Sequence, residues 1–138
     1  MATFLLTRPP EFFIVQLKRF IFLLETARAR EERRLQRIAF TMRIKPGTQE
    51  EYRRRHQQVW PELLADLKRA GCQNYSIFLR GTDLFAYLEV EDFPRYLEIM
   101  AASQASARWE AHMSDILIRE TEPSTGFPPV LEEVFHLD

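Results

Sequence analysis

Glu50-Glu51-Tyr52-Arg53-Arg54-Arg55-His56-Gln57-Gln58-Val59-Trp60-Pro61-Glu62-Leu63-Leu64 is the stretch on which the reading of this chain turns. Residues three and four apart are neighbours on a helix, and Tyr52, His56, Val59, Trp60, Leu63, Leu64 and Leu67 recur at that spacing. They form one stripe that should face a core. Arg53, Arg54, Gln57 and Asp66 fall mostly off it, and the basic run Arg53-Arg54-Arg55 reads as a solvated side. Pro61 lacks an amide proton, so it kinks the helix or restarts it after Trp60. The stripe begins with a phenol and an imidazole one turn apart. Such groups need partners when buried, supplied by the fold or by a ligand.

On either side the period changes from helix to strand. Ile38, Phe40, Met42 and Ile44 alternate with Arg37, Ala39, Thr41 and Arg43, the period of two that marks a strand. Pro46-Gly47 ends it, Thr48 can cap the helix that follows, and Gly71 stops that helix. Residues 72–80 form a second strand with Tyr75, Ile77 and Leu79 on one face, and Gly81-Thr82-Asp83 turns into a third at 84–90. Two helices are predicted at 93–100 and 103–118, then a loop rich in proline and a last strand at 130–137. Strand, helix, strand, strand, helix, strand is the split βαβ, ferredoxin-like order of an α+β fold, with helices on one face of an antiparallel sheet. Apolar residues on the other face call for a cover, and a second subunit is the expected one.

A chain of 138 residues suits one such domain. The net charge of -1 excludes a global field for nucleic acid or anionic membrane. Cys72, the single cysteine, cannot form an internal disulfide, fits a reducing compartment and gives no metal cluster. The apolar run from Phe12 to Leu24 is shorter than the roughly 20 residues a membrane span needs and carries Lys18 and Arg19 at its centre. It predicts an amphipathic helix, so residues 1–34 are expected to be a helical extension outside the core, and 35–138 the ferredoxin-like domain. His112 and His136 stand isolated in the sequence.

His56 differs from them in its company: Tyr52 one turn before, Trp60 one turn after, Tyr75 in the following strand and Trp109 in the other helix. Aromatic core filling explains such a set, and so does a pocket for a neutral small molecule, with aromatic walls and few polar groups. The segments Ala39-Phe40-Thr41-Met42, Tyr52-Arg53-Arg54-Arg55-His56, Val59-Trp60-Pro61-Glu62-Leu63, Asn74-Tyr75-Ser76-Ile77, Arg108-Trp109 and Leu131-Glu132-Glu133-Val134-Phe135-His136-Leu137 resemble L-rhamnose mutarotases. The likeness runs from about Leu35 to the C-terminus, and the first 34 residues have no counterpart in it.

The resemblance implies a dimeric α/β barrel of ferredoxin-like subunits in the cytoplasm. It further implies an isomerase of aldose 1-epimerase type that interconverts the anomers of L-rhamnose, or of a related 6-deoxy sugar, without metal or cofactor. By position it implies His56 as proton donor, with Tyr52, Tyr75 and Trp109 binding sugar. Where the family carries a second tryptophan this chain has Glu110, at a position implied to bind sugar and able to alter its choice. Cofactor-independent monooxygenases and haem-degrading enzymes share the same barrel, and a noncatalytic sugar-binding module would also fit it.

Overall fold

This computed structural model describes residues 11–32 and 34–138, and the chain divides into two compact units, Met1–Arg34 and Leu35–Asp138. In the first, helix α1 (Glu11–Glu32) places Phe13, Ile14, Leu17, Phe20, Ile21 and Leu24 down one side. Residues 1–10 and 33 of the expected extension lie outside the described residues. Among the described residues no helix is long and apolar enough to cross a membrane.

The second unit runs β1 (Gln36–Ile44), α2 (Gln49–His56), α3 (Pro61–Arg69), β2 (Gln73–Arg80), β3 (Asp83–Val90), α4 (Phe93–Ala101), α5 (Gln104–Met113) and β4 (Leu117–Ile118). The sheet order is β2-β3-β1-β4 and every neighbouring pair is antiparallel. This is the α+β architecture predicted from the order of elements. Alternation decides which face of the sheet is buried. Ile38, Phe40 and Ile44 of β1 and Leu84, Ala86, Leu88 and Val90 of β3 point to the core. Tyr96, Ala70, Tyr52 and Met113 cover them from the helices. Gly71 follows α3 at φ +80°, a left-handed conformation that glycine adopts without a Cβ penalty, and the chain turns there into β2.

Two expectations are corrected at the C-terminal end. The helix predicted over 103–118 stops at Met113, and Leu117–Ile118 forms the fourth strand beside Arg43 and Ile44. The strand predicted at 130–137 is a single bridge, Val130 to Phe40, followed by the Leu131 amide donating to the Ala39 carbonyl at 2.8 Å. That register carries the tail antiparallel along β1, and Arg37 meets Glu133 at 2.7 Å. By Val134 the tail is level with Gln36, where β1 begins. Phe135 and Leu137 run past it with no strand to pair with, and both are exposed.

The face away from the helices is mixed rather than uniformly apolar. Phe78 and Phe85 are paired across β2 and β3 and both are exposed. Around them stand Arg37, Thr41, Arg43, Arg80 and Glu89, and the Tyr87 hydroxyl donates to Glu89 at 2.8 Å.

Candidate active site

The site begins with a helix break. The residue before a proline is pushed out of the helical region, and Trp60 sits at φ -64°, ψ 136°, extended, with Pro61 opening α3. Helix α2 therefore ends at His56, and the turn at 57–60 swings the Trp60 ring toward α5. The ring of Trp109, in α5, meets Trp60 edge-on at 5.2 Å and His56 edge-on at 5.4 Å. His56 also stacks on Tyr52 at 4.1 Å, the contact its i, i+4 spacing implied. The Arg108 guanidinium lies 5.8 Å from the Trp60 ring centre, within cation–π reach.

His56 is half-buried, and its Nδ1 lies 3.0 Å from the Tyr52 carbonyl oxygen. A carbonyl only accepts, so Nδ1 carries the proton there and Nε2 is left for other work. Burial pushes the imidazole below its ordinary value of 6.5, and the Tyr52 carbonyl partly opposes that. The group is therefore neutral at neutral pH.

Tyr75 enters from the sheet. It lies within a bulge between Gln73 and Ser76, next to Asn74 at φ 49°. Ala86, the small residue of the intervening strand, leaves room for the Tyr75 and Phe40 rings at 6.3 Å. Tyr75 is 37% exposed as a residue, yet its hydroxyl end is enclosed. Burial first, then Tyr96, Tyr52 and Cys72 nearby, push that phenol well above 10. The phenol shares the helix-side interior with Tyr52 and Tyr96.

The structure thus brings Tyr52, His56 and Trp109 into ring contact and aims Tyr75 at the same side of the sheet. It does not bring in Glu110, which pairs with Arg119 at 2.9 Å, both groups about half exposed. Two sequence expectations are overturned nearby. His112 is not isolated: its ring lies 5.4 Å from Trp60 and 5.8 Å from Trp109, three residues before it on α5. That i, i+3 spacing was legible; the approach of Trp60 from another helix was not. Arg55 is not on a solvated side, since only 10% of its side chain is exposed. A groove of about 660 Å³ lined by Thr41, Arg43, Phe78, Arg80, Phe85 and Glu120 lies on the opposite face of the sheet. It holds none of these rings.

A family model described as L-rhamnose mutarotase matches residues 37–137. The chain belongs to the L-rhamnose mutarotase family. It is 44% identical over 108 residues to an L-rhamnose mutarotase of Opitutus terrae, covering 74% of this chain and 98% of that one. The L-rhamnose mutarotase of Listeria monocytogenes is likewise 44% identical over 108 residues, covering 75% and 99%. The crystal structure of L-rhamnose mutarotase from Formosa agariphila superposes with a TM-score of 0.61 at 34% identity, over 75% of this chain and 99% of that one. Tyr52, His56, Tyr75, Trp109 and Glu110 all lie inside the span matched by the mutarotase family model.

Proposed function

We propose that this chain catalyses the interconversion of the α and β anomers of L-rhamnose, the activity for which its relatives are named. Ring opening requires a proton at the ring oxygen and loss of the anomeric hydroxyl proton; closing on the other face of the carbonyl reverses both transfers. In its charged form His56 hands the Nε2 proton to the ring oxygen, Nδ1 being engaged by the Tyr52 carbonyl, while water takes the anomeric hydroxyl proton. Trp109 covers the apolar C–H face and the methyl group of the deoxy sugar, and the phenols of Tyr52 and Tyr75 bind its hydroxyls. Glu110 meets the sugar from the rim once its pairing with Arg119 opens. These are proton transfers alone, which call for neither metal nor redox cofactor. The enzyme works as a homodimer in the cytoplasm, with residues 35–138 as its catalytic domain.

The observation that carries the reading is a half-buried imidazole with one nitrogen held and the other unengaged among the described residues, stacked on a phenol and met edge-on by an indole. Saturation-transfer NMR of the L-rhamnose anomers tests it. Exchange between the anomeric resonances should speed up in proportion to protein concentration. Exchange at the buffer rate, with the protein folded, would overturn the reading.

A further inference from the structure

Arg55 has unusual partners for the last member of a surface-like basic run. Its Nη1 and Nη2 donate to the two carboxylate oxygens of Asp115 at 2.8 and 2.9 Å. Nη1 also donates to the His112 carbonyl at 2.5 Å, and Nε donates to Glu51 at 2.7 Å. The neighbours differ. Among the described residues Arg53 pairs with Glu50 and Arg54 with Glu51, within the same helix and in the open, whereas Arg55 crosses from α2 to the end of α5.

That crossing matters because of what each end carries. Arg55 immediately precedes His56. The His112 carbonyl belongs to the last turn of α5, one turn beyond Trp109. Tyr52 of α2 and Met113 of α5 share one apolar cluster, and the planar guanidinium is a polar tie between the same two helices. It also offsets the partial negative charge of the α5 C-terminus, where Asp115 alone would be unfavourable. Asp115 is held at about 2 chiefly by its hydrogen bond to Arg55, and Glu51 at about 2 by Arg54 and then Arg55. Both carboxylates therefore stay charged across the working pH range.

We propose that Arg55 is a positioning residue: its bidentate fork to Asp115 and its bond to the His112 carbonyl set the distance between His56 and Trp109. In the catalytic statement this rests on the mutarotase reading above; in the geometric statement it does not. Misplacement of reacting groups by about 1 Å can cost 10²-fold. A lysine cannot reproduce two parallel hydrogen bonds from a planar group.

The test uses the full chain with Arg55→Met, Arg55→Lys and Asp115→Asn, and Arg53→Met as the control. In anomer exchange, kcat should fall about tenfold to a hundredfold for Arg55→Met and nearly as far for Arg55→Lys. KM should change much less, and Arg53→Met should leave both alone. In a His56→Ala background Arg55→Met should add no further loss of rate. The same factor of loss with or without His56 would overturn the proposal. The second readout needs no sugar: the ¹H–¹³C resonances of the His56 ring, shifted by the ring currents of Tyr52 and Trp109. Those shifts should shrink toward ordinary histidine values in Arg55→Met and Asp115→Asn and persist in Arg53→Met. Unchanged His56 resonances in a folded Arg55→Met protein would end the proposal. If the wild-type protein shows no exchange at all, the mutarotase reading fails while the imidazole resonances still decide the positioning.

Discussion

His56 is one turn from Tyr52 and shares its stripe, which a sequence can say; that its ring is clasped between Tyr52 and Trp109 is a contact between two helices. Positioned acid–base catalysis is worth about 10²–10⁴-fold, so His56→Ala should lose that much exchange rate while the protein still melts cooperatively. A folded mutant with near wild-type rate per molecule would return His56 to a packing role. The pH dependence follows from the lowered imidazole value. As the proton donor, His56 acts in its charged form, so exchange should rise as pH falls, with a midpoint below 6.5. Stability moves the other way. The unfolded chain takes the proton first, so the melting temperature should drop as pH falls from the ordinary histidine value toward the folded one. His56→Gln should flatten both profiles. Glu110 is an expectation of a different kind, because its carboxylate is held by Arg119 outside the ring cluster. Exchanging it for an indole removes an acceptor and adds an apolar plate. Glu110→Trp is expected to shift preference toward 6-deoxy sugars over their hydroxymethyl counterparts. Equal rates across both classes, before and after, would put the position outside the pocket.

At the scale of the element, two short devices hold the wall of the site. Pro61 divides one amphipathic stripe into α2 and α3, and the extended Trp60 between them is what reaches Trp109. Ser103, 4% exposed, caps α5: its Oγ accepts from the Ser106 amide at 2.9 Å and donates to Asp66 of α3 at 2.5 Å. Removing such a cap typically costs about 1–2 kcal/mol, and a buried charge-assisted hydrogen bond goes with it. Ser103→Ala should therefore lower the denaturant midpoint by that free energy with an unchanged slope. The rate per folded molecule should stay close to wild type, because the opposite end of α5 is held separately by Arg55. A loss of unfolding free energy, slope times midpoint shift, below about 0.5 kcal/mol would mean that the bond to Asp66 and the cap contribute nothing net.

At the scale of the molecule the open sheet face and the tail ask for the same thing. Phe78 and Phe85 are exposed on that face, and Phe135 and Leu137 are exposed beyond the end of β1. One chain leaves all four wet, whereas a second copy against the sheet would cover apolar surface on both partners at once. Residues 35–138, prepared without the preceding segment, are expected to fold and to run as a dimer in light scattering at micromolar concentration. Phe85→Asp, a charge placed in the middle of that face, should shift the population toward monomer. A monomeric 35–138 protein that still catalyses exchange would remove the dimer from the account.

Periodicity, breaker residues and the order of elements determined most of the fold. β1, α2, α3, β2, β3 and α4 stand where alternation, Pro61 and Gly71 put them, because each obeys a rule that acts within a few residues. The pairing of Tyr52 with His56 was legible for the same reason. Only the tertiary structure decided the C-terminal half of the sheet. Leu131-Glu132-Glu133-Val134-Phe135-His136-Leu137 alternates like a strand, but strand formation needs an edge of matching length, and β1 begins at Gln36. Leu117–Ile118, which continues a helical stripe in sequence, found the free edge at Arg43 and Ile44 instead. Arg55 and His112 were misread for a related reason. Whether an arginine faces water or a neighbouring helix, and whether a histidine stands alone, depends on chain some 50 to 60 residues away, and no local pattern carries that information.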